Sequence, residues 1–191
     1  MPNPSWYIDT GGNGFAAILA RACGLPIGPV VLATNANATL VDWHASGEYA
    51  ARDSIATLAN AMDVGAPSNF ERLSGFGDQL IEDVVRVDDP AIRKRIALTH
   101  QQSGYIACPH TATALEAHAR MDPARRSERV WIAAATAHPY KFAEAVEPLT
   151  GQPLAPPPSL ADVLTRPVHL TDIAASLEEL AGQLDADRAK G

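Results

Sequence analysis

The stretch that decides the fold is Ala135-Thr136-Ala137-His138-Pro139-Tyr140-Lys141-Phe142, which directly follows the apolar run of residues 130–134. An apolar run that stops near a proline predicts a buried strand, because proline cannot donate to a ladder and favours extended backbone in the residue before it. Apolar residues at helical spacing follow, up to residue 149. The sequence therefore predicts that Thr136 and His138 lie where a strand turns into a helix, the place where parallel α/β sheets bind ligands.

The rest of the chain repeats this order of strand and helix. The predicted strands are Trp6–Ile8, Val30–Ala33, Tyr105–Cys108 and Arg129–Ala135. Helical patterns follow them, and a further helix is predicted over residues 90–102, with residues 78–85 also read as helical. The prediction is a three-layer, Rossmann-like parallel sheet of about four strands with crossover helices. Residues 1–150 would form this α/β domain, and residues 151–191 a proline-rich linker with a helical C-terminal appendage.

Composition excludes several classes of protein. Hydrophobic residues make up 47% of the chain, charged residues 19%, and the net charge is −7. We expect no nucleic-acid partner, because no basic cluster exceeds Arg93–Arg95. No signal-peptide pattern and no membrane-length apolar run is visible, which predicts a cytoplasmic protein without membrane contact. Two cysteines, Cys23 and Cys108, form no disulfide framework and fit a reduced compartment.

A glycine-rich loop, Thr10-Gly11-Gly12-Asn13-Gly14, separates the first predicted strand from its helix. Backbone N–H groups at the start of a helix favour an anion such as phosphate, and the Thr10 hydroxyl could add a donor. The alternative is that these glycines only permit a tight turn. The loop therefore predicts either a phosphate site or a structural turn.

Polar residues elsewhere leave similar alternatives open. Asn35 and Asn37 follow the second strand and either face a ligand or cap the next turn through its backbone. His110 and His118 are eight residues apart, but no third metal ligand has suitable spacing, so no metal site is predicted. His110 is interpreted as a loop histidine that bonds to backbone. Asn69 lies in Pro67–Leu73, where a structural duty is again the alternative.

Several of these segments resemble threonine synthases. Residues 135–142 are similar to the family's A-T-A-H-P-A-K-F, and residues 33–37 to its A-T-N-x-N-D. Residues 60–72 resemble A-M-D-[IV]-x-x-P-S-N-x-E-R, and residues 108–112 resemble [ED]-P-H-[TA]-A. The glycine loop resembles T-G-N-F-G-N but is about two residues shorter. The resemblance covers about residues 5–185 but only the C-terminal portion of the family.

The resemblance implies a pyridoxal phosphate (PLP) fold in which intact enzymes convert O-phosphohomoserine to threonine and phosphate. It implies that Thr10, Gly11, Gly12 and Asn13 hold the cofactor phosphate. Thr136 would contact the pyridine nitrogen, and Asn35 and Asn69 would lie at the substrate. The family's Schiff-base lysine, in an S-F-K-D-like segment, lies upstream of everything matched. None of the three lysines (Lys94, Lys141 and Lys190) takes that position, so we expect no family activity without another chain.

Two other classes of function stay open. An ester or lactone hydrolase would pair His110 or His138 as base with one of several nucleophiles and with Asp9 or Asp63 as orienting acid; the candidate nucleophiles are Ser54, Ser74, Ser103 and Cys108. A non-catalytic module would instead bind a small molecule or phosphate, or self-associate. For such a module we expect a homodimer that buries an uncovered apolar face.

Overall fold

A computed structural model describes residues 5–9, 12–75, 80–168 and 170–188. The chain divides into two compact units, with the boundary between Ala155 and Pro156 inside the proline-rich segment. Whether these units are independent domains with the predicted limits, 1–150 and 151–191, stays a prediction.

The first unit is built on a parallel sheet of four strands. The strands are β1 (Ser5–Asp9), β2 (Val30–Thr34), β3 (Ile81–Arg86) and β4 (Trp131–Ala133). Their order across the sheet is β3-β2-β1-β4, and every neighbouring pair is parallel. All four strands therefore end at one side of the sheet, here called the carboxyl edge. The predicted fold class is confirmed.

One predicted strand and one predicted helix are wrong. Tyr105–Cys108 is an extended connection outside the sheet, and the missing strand is β3, where residues 78–85 were predicted to be helical. The apolar positions of β3, Ile81, Val84 and Val85, recur at three and four residues, which imitates a helical face. Their β-branched side chains favour a strand, and pairing with the fully buried β2 fixes that outcome.

Helices connect the strands, and their ends follow ordinary capping chemistry. In chain order they are α1 (Gly12–Ala22), α2 (Thr39–Ser46), α3 (Phe70–Gly75), α4 (Asp89–Ser103), α5 (Pro109–Arg120), α6 (Pro123–Ser127) and α7 (Ala143–Thr150). The Asp88 carboxylate accepts the Ala91 N–H at 3.2 Å at the start of α4, and Gly104 ends that helix at φ 72°. Short 3₁₀ turns occupy Asn60–Met62 and Pro139–Phe142.

Successive residues of β2 contribute to two separate apolar clusters, because side chains alternate across a strand. Val31 and Ala33 join the cluster that contains Ile92, Ile96 and Val146, from α4 and α7. Val30 and Leu32 join the second cluster, with the following residues of α1, α2 and α3: Ile18, Leu40, Trp43 and Leu73. Helices thus cover the sheet on both faces, as the predicted three layers require.

The second unit contains α8 (Pro158–Leu164) and α9 (Leu177–Arg188). The predicted terminal helix over 172–187 begins five residues later than expected. Leu177, Leu180 and Leu184 of α9 are all exposed. Within the described residues, no helix has the length and apolar character required to cross a membrane.

Candidate site at the carboxyl edge

Gly12–Gly14, the described part of the glycine-rich segment, is the first turn of α1 at the carboxyl edge and is here called the glycine turn. α1 begins at Gly12 and runs for 11 residues, so its first N–H groups lie at this edge. Gly14 is buried and Asn13 is exposed, so a polar side chain stands at the helix start. Thr10 and Gly11, which were predicted to complete this loop, lie outside the described residues. The described part of the segment therefore places helix-start N–H groups at this edge, and anion binding there stays a prediction.

Thr136 follows β4, the neighbour of β1. The register pairs Tyr7 of β1 with Ala133 of β4, so both strands end at the same edge of the sheet. Thr136 is exposed there. His138 is also exposed, and its Nδ1 accepts the Tyr140 N–H at 3.2 Å, which caps the 3₁₀ turn of residues 139–142. The structure thus gives His138 a local capping role and leaves Thr136 open to solvent.

The polar residues after β2 are arranged differently, because they bond to one another. Asn35 is completely buried. Its Nδ2 donates to Thr57 Oγ1 at 2.7 Å and to Asp63 Oδ1 at 2.7 Å. Its Oδ1 accepts the Asn37 backbone N–H at 2.9 Å, the Asx turn that was one of the two sequence-based alternatives. Its role at the substrate stays a prediction, but its amide is already hydrogen-bonded inside the protein.

Asp63 is the centre of this network. Its Oδ2 accepts the Thr57 N–H at 2.9 Å and its Oδ1 accepts the Thr57 hydroxyl at 2.6 Å, in addition to the Asn35 amide. Asn37 extends the network to Ile55, whose N–H donates to Asn37 Oδ1 at 2.7 Å and whose carbonyl accepts from Asn37 Nδ2 at 2.8 Å. A carboxylate with several donors is a strong local organiser, so residues 52–65 are fixed to the end of β2.

Gly65 closes this segment, which we call the post-β2 lobe (residues 52–65). The Gly65 carbonyl accepts the Arg52 N–H at 3.1 Å and the Thr39 hydroxyl at 2.8 Å. The Gly65 N–H donates to Ser54 Oγ at 3.0 Å. A Cβ at this position would lie 2.2 Å from the Arg52 carbonyl oxygen, so only glycine fits. Sequence reasoning missed this closure, although the glycine in Asp63-Val64-Gly65 was a visible signal.

His110 lies in the first turn of α5, not in a loop as predicted. Its side chain is 2% exposed. Its Nε2 accepts the Ala61 N–H at 3.1 Å, and its ring lies 5.0 Å from the Phe142 ring, centroid to centroid. The predicted bond to backbone is therefore confirmed. Because Nε2 is an acceptor, the ring is neutral with its hydrogen on Nδ1.

Asn69 borders a small apolar cavity near the glycine turn. The cavity is lined by Gly14, Phe15, Leu32, Leu40, Pro67, Asn69, Phe70 and Leu73. Asn69 is half-buried, and its carbonyl accepts the Arg72 N–H at 3.2 Å at the start of α3. Of the two residues predicted at the substrate, Asn69 is the one that lies beside the glycine turn in a cavity wall.

The four candidate hydrolase nucleophiles bond to groups other than a histidine in the described part of the chain. Ser54 is bonded to Gly65, Ser74 to the Glu71 carbonyl, and Ser103 to the Thr99 carbonyl. Cys108 caps α5, and its sulfur lies 3.2 Å from Thr111 Oγ1. None of these four side chains is hydrogen-bonded to a histidine among the described residues. A hydrolase based on them stays a prediction.

The lysines, cysteines and one histidine complete the set of chemically reactive side chains that the sequence singles out. Lys94 and Lys141 are exposed, Lys141 with its Nζ 5.7 Å from the centroid of the Phe142 ring, and Lys190 lies outside the described residues. Cys23 and Cys108 are both free thiols. Burial lowers the pKa of His118, and the positive charges of Arg126 and Arg95 lower it further. No group of three or more His, Cys, Asp or Glu in the described residues is placed to hold a metal ion.

Known proteins match this chain along most of its length. The family model described as "Threonine synthase, C-terminal" matches residues 111–183. Threonine synthase of Serratia marcescens is 33% identical over 173 residues, covering 88% of this chain and 40% of that protein. Threonine synthase of Escherichia coli is 30% identical over 175 residues, with the same coverage of 88% and 40%. The chain thus spans about 40% of the length of these relatives.

Solved structures agree. The crystal structure of threonine synthase from Escherichia coli superposes with a TM-score of 0.81 at 27% identity, covering 97% of this chain and 44% of that one. The PLP-bound threonine synthase of Brucella melitensis gives a TM-score of 0.79 at 26% identity, covering 95% of this chain and 46% of that one. The architecture is that of the fold type II class, to which these PLP-dependent enzymes belong. Within that class, the chain is related to the C-terminal portion of threonine synthases.

Proposed function

We propose that this chain forms the cofactor-holding half of a threonine synthase-type site. In this proposal the glycine turn at the start of α1 binds the phosphate of PLP, and Thr136 faces the pyridine nitrogen. The observation that supports it is the placement of Gly12–Gly14 and Thr136 at the ends of the neighbouring strands β1 and β4, each with an exposed polar side chain.

The donor set at this edge suits PLP. The N–H groups at the start of α1 and the helix dipole favour a phosphate dianion. Asn13 adds an amide donor beside them. The Thr136 hydroxyl is neutral, so it can bond to the pyridine nitrogen without holding a proton there as a carboxylate would. When bound, PLP supplies an electron sink, and the residues of this chain orient it and moderate that property.

The reaction that converts O-phosphohomoserine to threonine and phosphate needs a lysine as well. The lysines of this sequence are Lys94, Lys141 and Lys190, and the family's S-F-K-D-like segment is not matched by any part of it. We propose that the 191 residues bind cofactor but do not turn over substrate by themselves. A polypeptide that carries the lysine segment would complete the site.

Cofactor binding is tested with PLP and with pyridoxal, which lacks the phosphate, by equilibrium dialysis. We expect PLP to bind at least about tenfold more tightly than pyridoxal, because the phosphate supplies the charge that the helix start attracts. Asn13→Asp should weaken PLP binding about tenfold, since the added carboxylate repels the phosphate while it favours the helix dipole. Ser159→Asp makes the same charge change at the start of α8 and should leave affinity unchanged. Equal affinities for PLP and pyridoxal would contradict the proposal.

Turnover is tested separately by phosphate release from O-phosphohomoserine. We expect none from the chain with PLP alone, and release after addition of a polypeptide carrying the S-F-K-D-like segment of a threonine synthase. Release by the 191-residue chain without that polypeptide would show that another group replaces the lysine. Lys141→Ala would then identify whether Lys141 is that group.

The location and assembly of the chain are further parts of the proposal. We propose a cytoplasmic protein that forms a homodimer through exposed apolar side chains such as Leu25, Ile55 and Val130. Sedimentation velocity at micromolar concentration should show the dimer. A single monomeric species would contradict it.

A further inference from the structure

His110 contacts two segments that follow different strands of the sheet. Through Nε2 it accepts the Ala61 N–H of the post-β2 lobe at 3.1 Å. Its ring also packs against Phe142, in the 3₁₀ turn that follows β4, with 5.0 Å between ring centroids and 58° between ring planes. His110 itself belongs to α5, so three separate elements meet at one side chain.

The position of these segments in the sheet gives the contact its significance. The strand order is β3-β2-β1-β4, so the lobe after β2 and the turn after β4 flank the end of β1. The glycine turn that opens α1 starts at that end. A side chain that joins the two flanking segments therefore constrains their positions relative to the end of β1.

The connection is continuous back to the sheet. From the end of β2, Asn35 bonds to Asp63 at 2.7 Å, and Asp63 directly follows the 3₁₀ turn of Asn60–Met62 that holds Ala61. From His110 the chain of contacts passes to Phe142 and back to β4. Asn35 and His110 are buried and Asp63 is half-buried, so a shift of one segment would displace packed side chains in the others.

We propose that His110 is a positioning residue of the cofactor site, where it fixes the post-β2 lobe and the turn after β4 on either side of the glycine turn. This inference rests on the proposed function, because the site it positions is the PLP site. His110 does not touch the cofactor in this proposal. It acts through Ala61 and Phe142.

Two substitutions separate the two contacts. His110→Gln keeps an acceptor near the position of Nε2 but removes the ring. His110→Phe keeps an aromatic ring but removes the acceptor of the Ala61 N–H. Phe142→Leu removes the ring contact from the other side and keeps an apolar side chain. His100→Phe is the matched control, because His100 stands in the last turn of α4 and its side chain bonds to none of the described residues.

The first measurement needs no cofactor. Amide hydrogen exchange at Ala61 should be at least about tenfold faster in His110→Phe than in the wild type, and close to wild type in His110→Gln and His100→Phe. The second measurement is PLP affinity. We expect it to fall about tenfold in His110→Phe and about threefold in Phe142→Leu, with His110→Gln within about threefold of wild type, since a site loosened by a fraction of an ångström loses most of its preorganisation. Circular dichroism shows which variants are folded.

The outcomes are distinct. A wild-type chain that fails to bind PLP contradicts the proposed function. A wild-type chain that binds PLP, together with folded His110→Phe and Phe142→Leu variants of unchanged affinity, overturns the role of His110. Ala61 exchange that is the same in wild type and His110→Phe overturns it too, because the hydrogen bond would then hold nothing in place. If His110→Phe is not folded, a PLP affinity lowered about threefold in a folded Phe142→Leu supports the proposal, and an unchanged affinity in that variant overturns it.

Discussion

The two halves of the carboxyl edge use polar side chains in opposite ways. After β2, Asn35, Asn37 and Asp63 direct their polar atoms at one another, and both asparagines are buried. After β1 and β4, Asn13 and Thr136 are exposed. Polar residues at the ends of parallel strands therefore do two jobs. Those bonded inward give the edge its shape, and those left at the surface can meet a ligand.

The largest effect on the inward-bonded half of the edge is expected at Gly65, where the post-β2 lobe closes on Arg52. Gly65→Ala would place a methyl carbon 2.2 Å from the Arg52 carbonyl oxygen, and backbone cannot move aside cheaply. We expect the free energy of unfolding to fall by about 3 kcal/mol or more, measured by urea denaturation. Gly182→Ala is the control: an added Cβ there meets no atom within 4 Å, and stability should be unchanged or slightly raised. An unchanged free energy of unfolding in Gly65→Ala would mean that the close contact between Gly65 and Arg52 does not hold the lobe.

Asn35 and Asn69 allow the same substitution to be compared at a fully buried and at a half-buried asparagine. Asn35→Ala removes one of the donors to the Asp63 carboxylate and the acceptor of the Asn37 N–H, so we expect a loss of about 2 kcal/mol in the free energy of unfolding. Asn69→Ala removes a half-buried amide in a cavity wall, and stability should change by less than about 0.5 kcal/mol. Thermal or urea unfolding of the two variants measures the difference. Equal losses would show that both asparagines serve the fold alone.

The sequence predicts the layers of this fold well because its clearest signals are local. The carboxylate of Asp88, the proline after it and the glycine at 104 specify α4 almost to the residue. β3 was missed because its apolar spacing suits a helix, and only pairing with β2 decides the matter. A long-range partner cannot be recognised from the residues of the segment itself.

The sequence identifies several residues of the candidate site but does not predict which of them are buried and which are exposed. The motifs around Asn35 and Thr136 both indicate the carboxyl edge, whereas the motif that contains Asp63 indicates only a loop and a helix start. Their burial and hydrogen-bond partners, however, depend on how residues 52–65 fold back onto β2. The tie between Ala61 and His110 joins residues 49 positions apart, a separation at which a single sequence carries no pairing signal.

A smaller effect is expected at the exposed half of the edge. Thr136→Val keeps the shape of the side chain and removes one hydroxyl from the surface, so stability should change by less than about 0.5 kcal/mol. PLP affinity should fall about fivefold, the value of one hydrogen bond to the ring nitrogen. Fluorescence titration with PLP measures this, and Thr165→Val, an exposed threonine of the second unit, is the control. An unchanged PLP affinity in Thr136→Val would show that the Thr136 hydroxyl does not bind the cofactor.

The smallest effect concerns pH and the helix that carries His110. Further along α5, His118 has a pKa lowered from the ordinary value of 6.5 by burial and by the nearby Arg126 and Arg95. Between that lowered pKa and 6.5, the unfolded chain binds a proton that the folded chain refuses. The free energy of unfolding should therefore rise with pH across this window and fall as the pH drops below 6.5. His118→Gln removes this term, so urea denaturation at several pH values should show a shallower dependence than in the wild type. An equal slope in both would assign the pH dependence to groups other than His118.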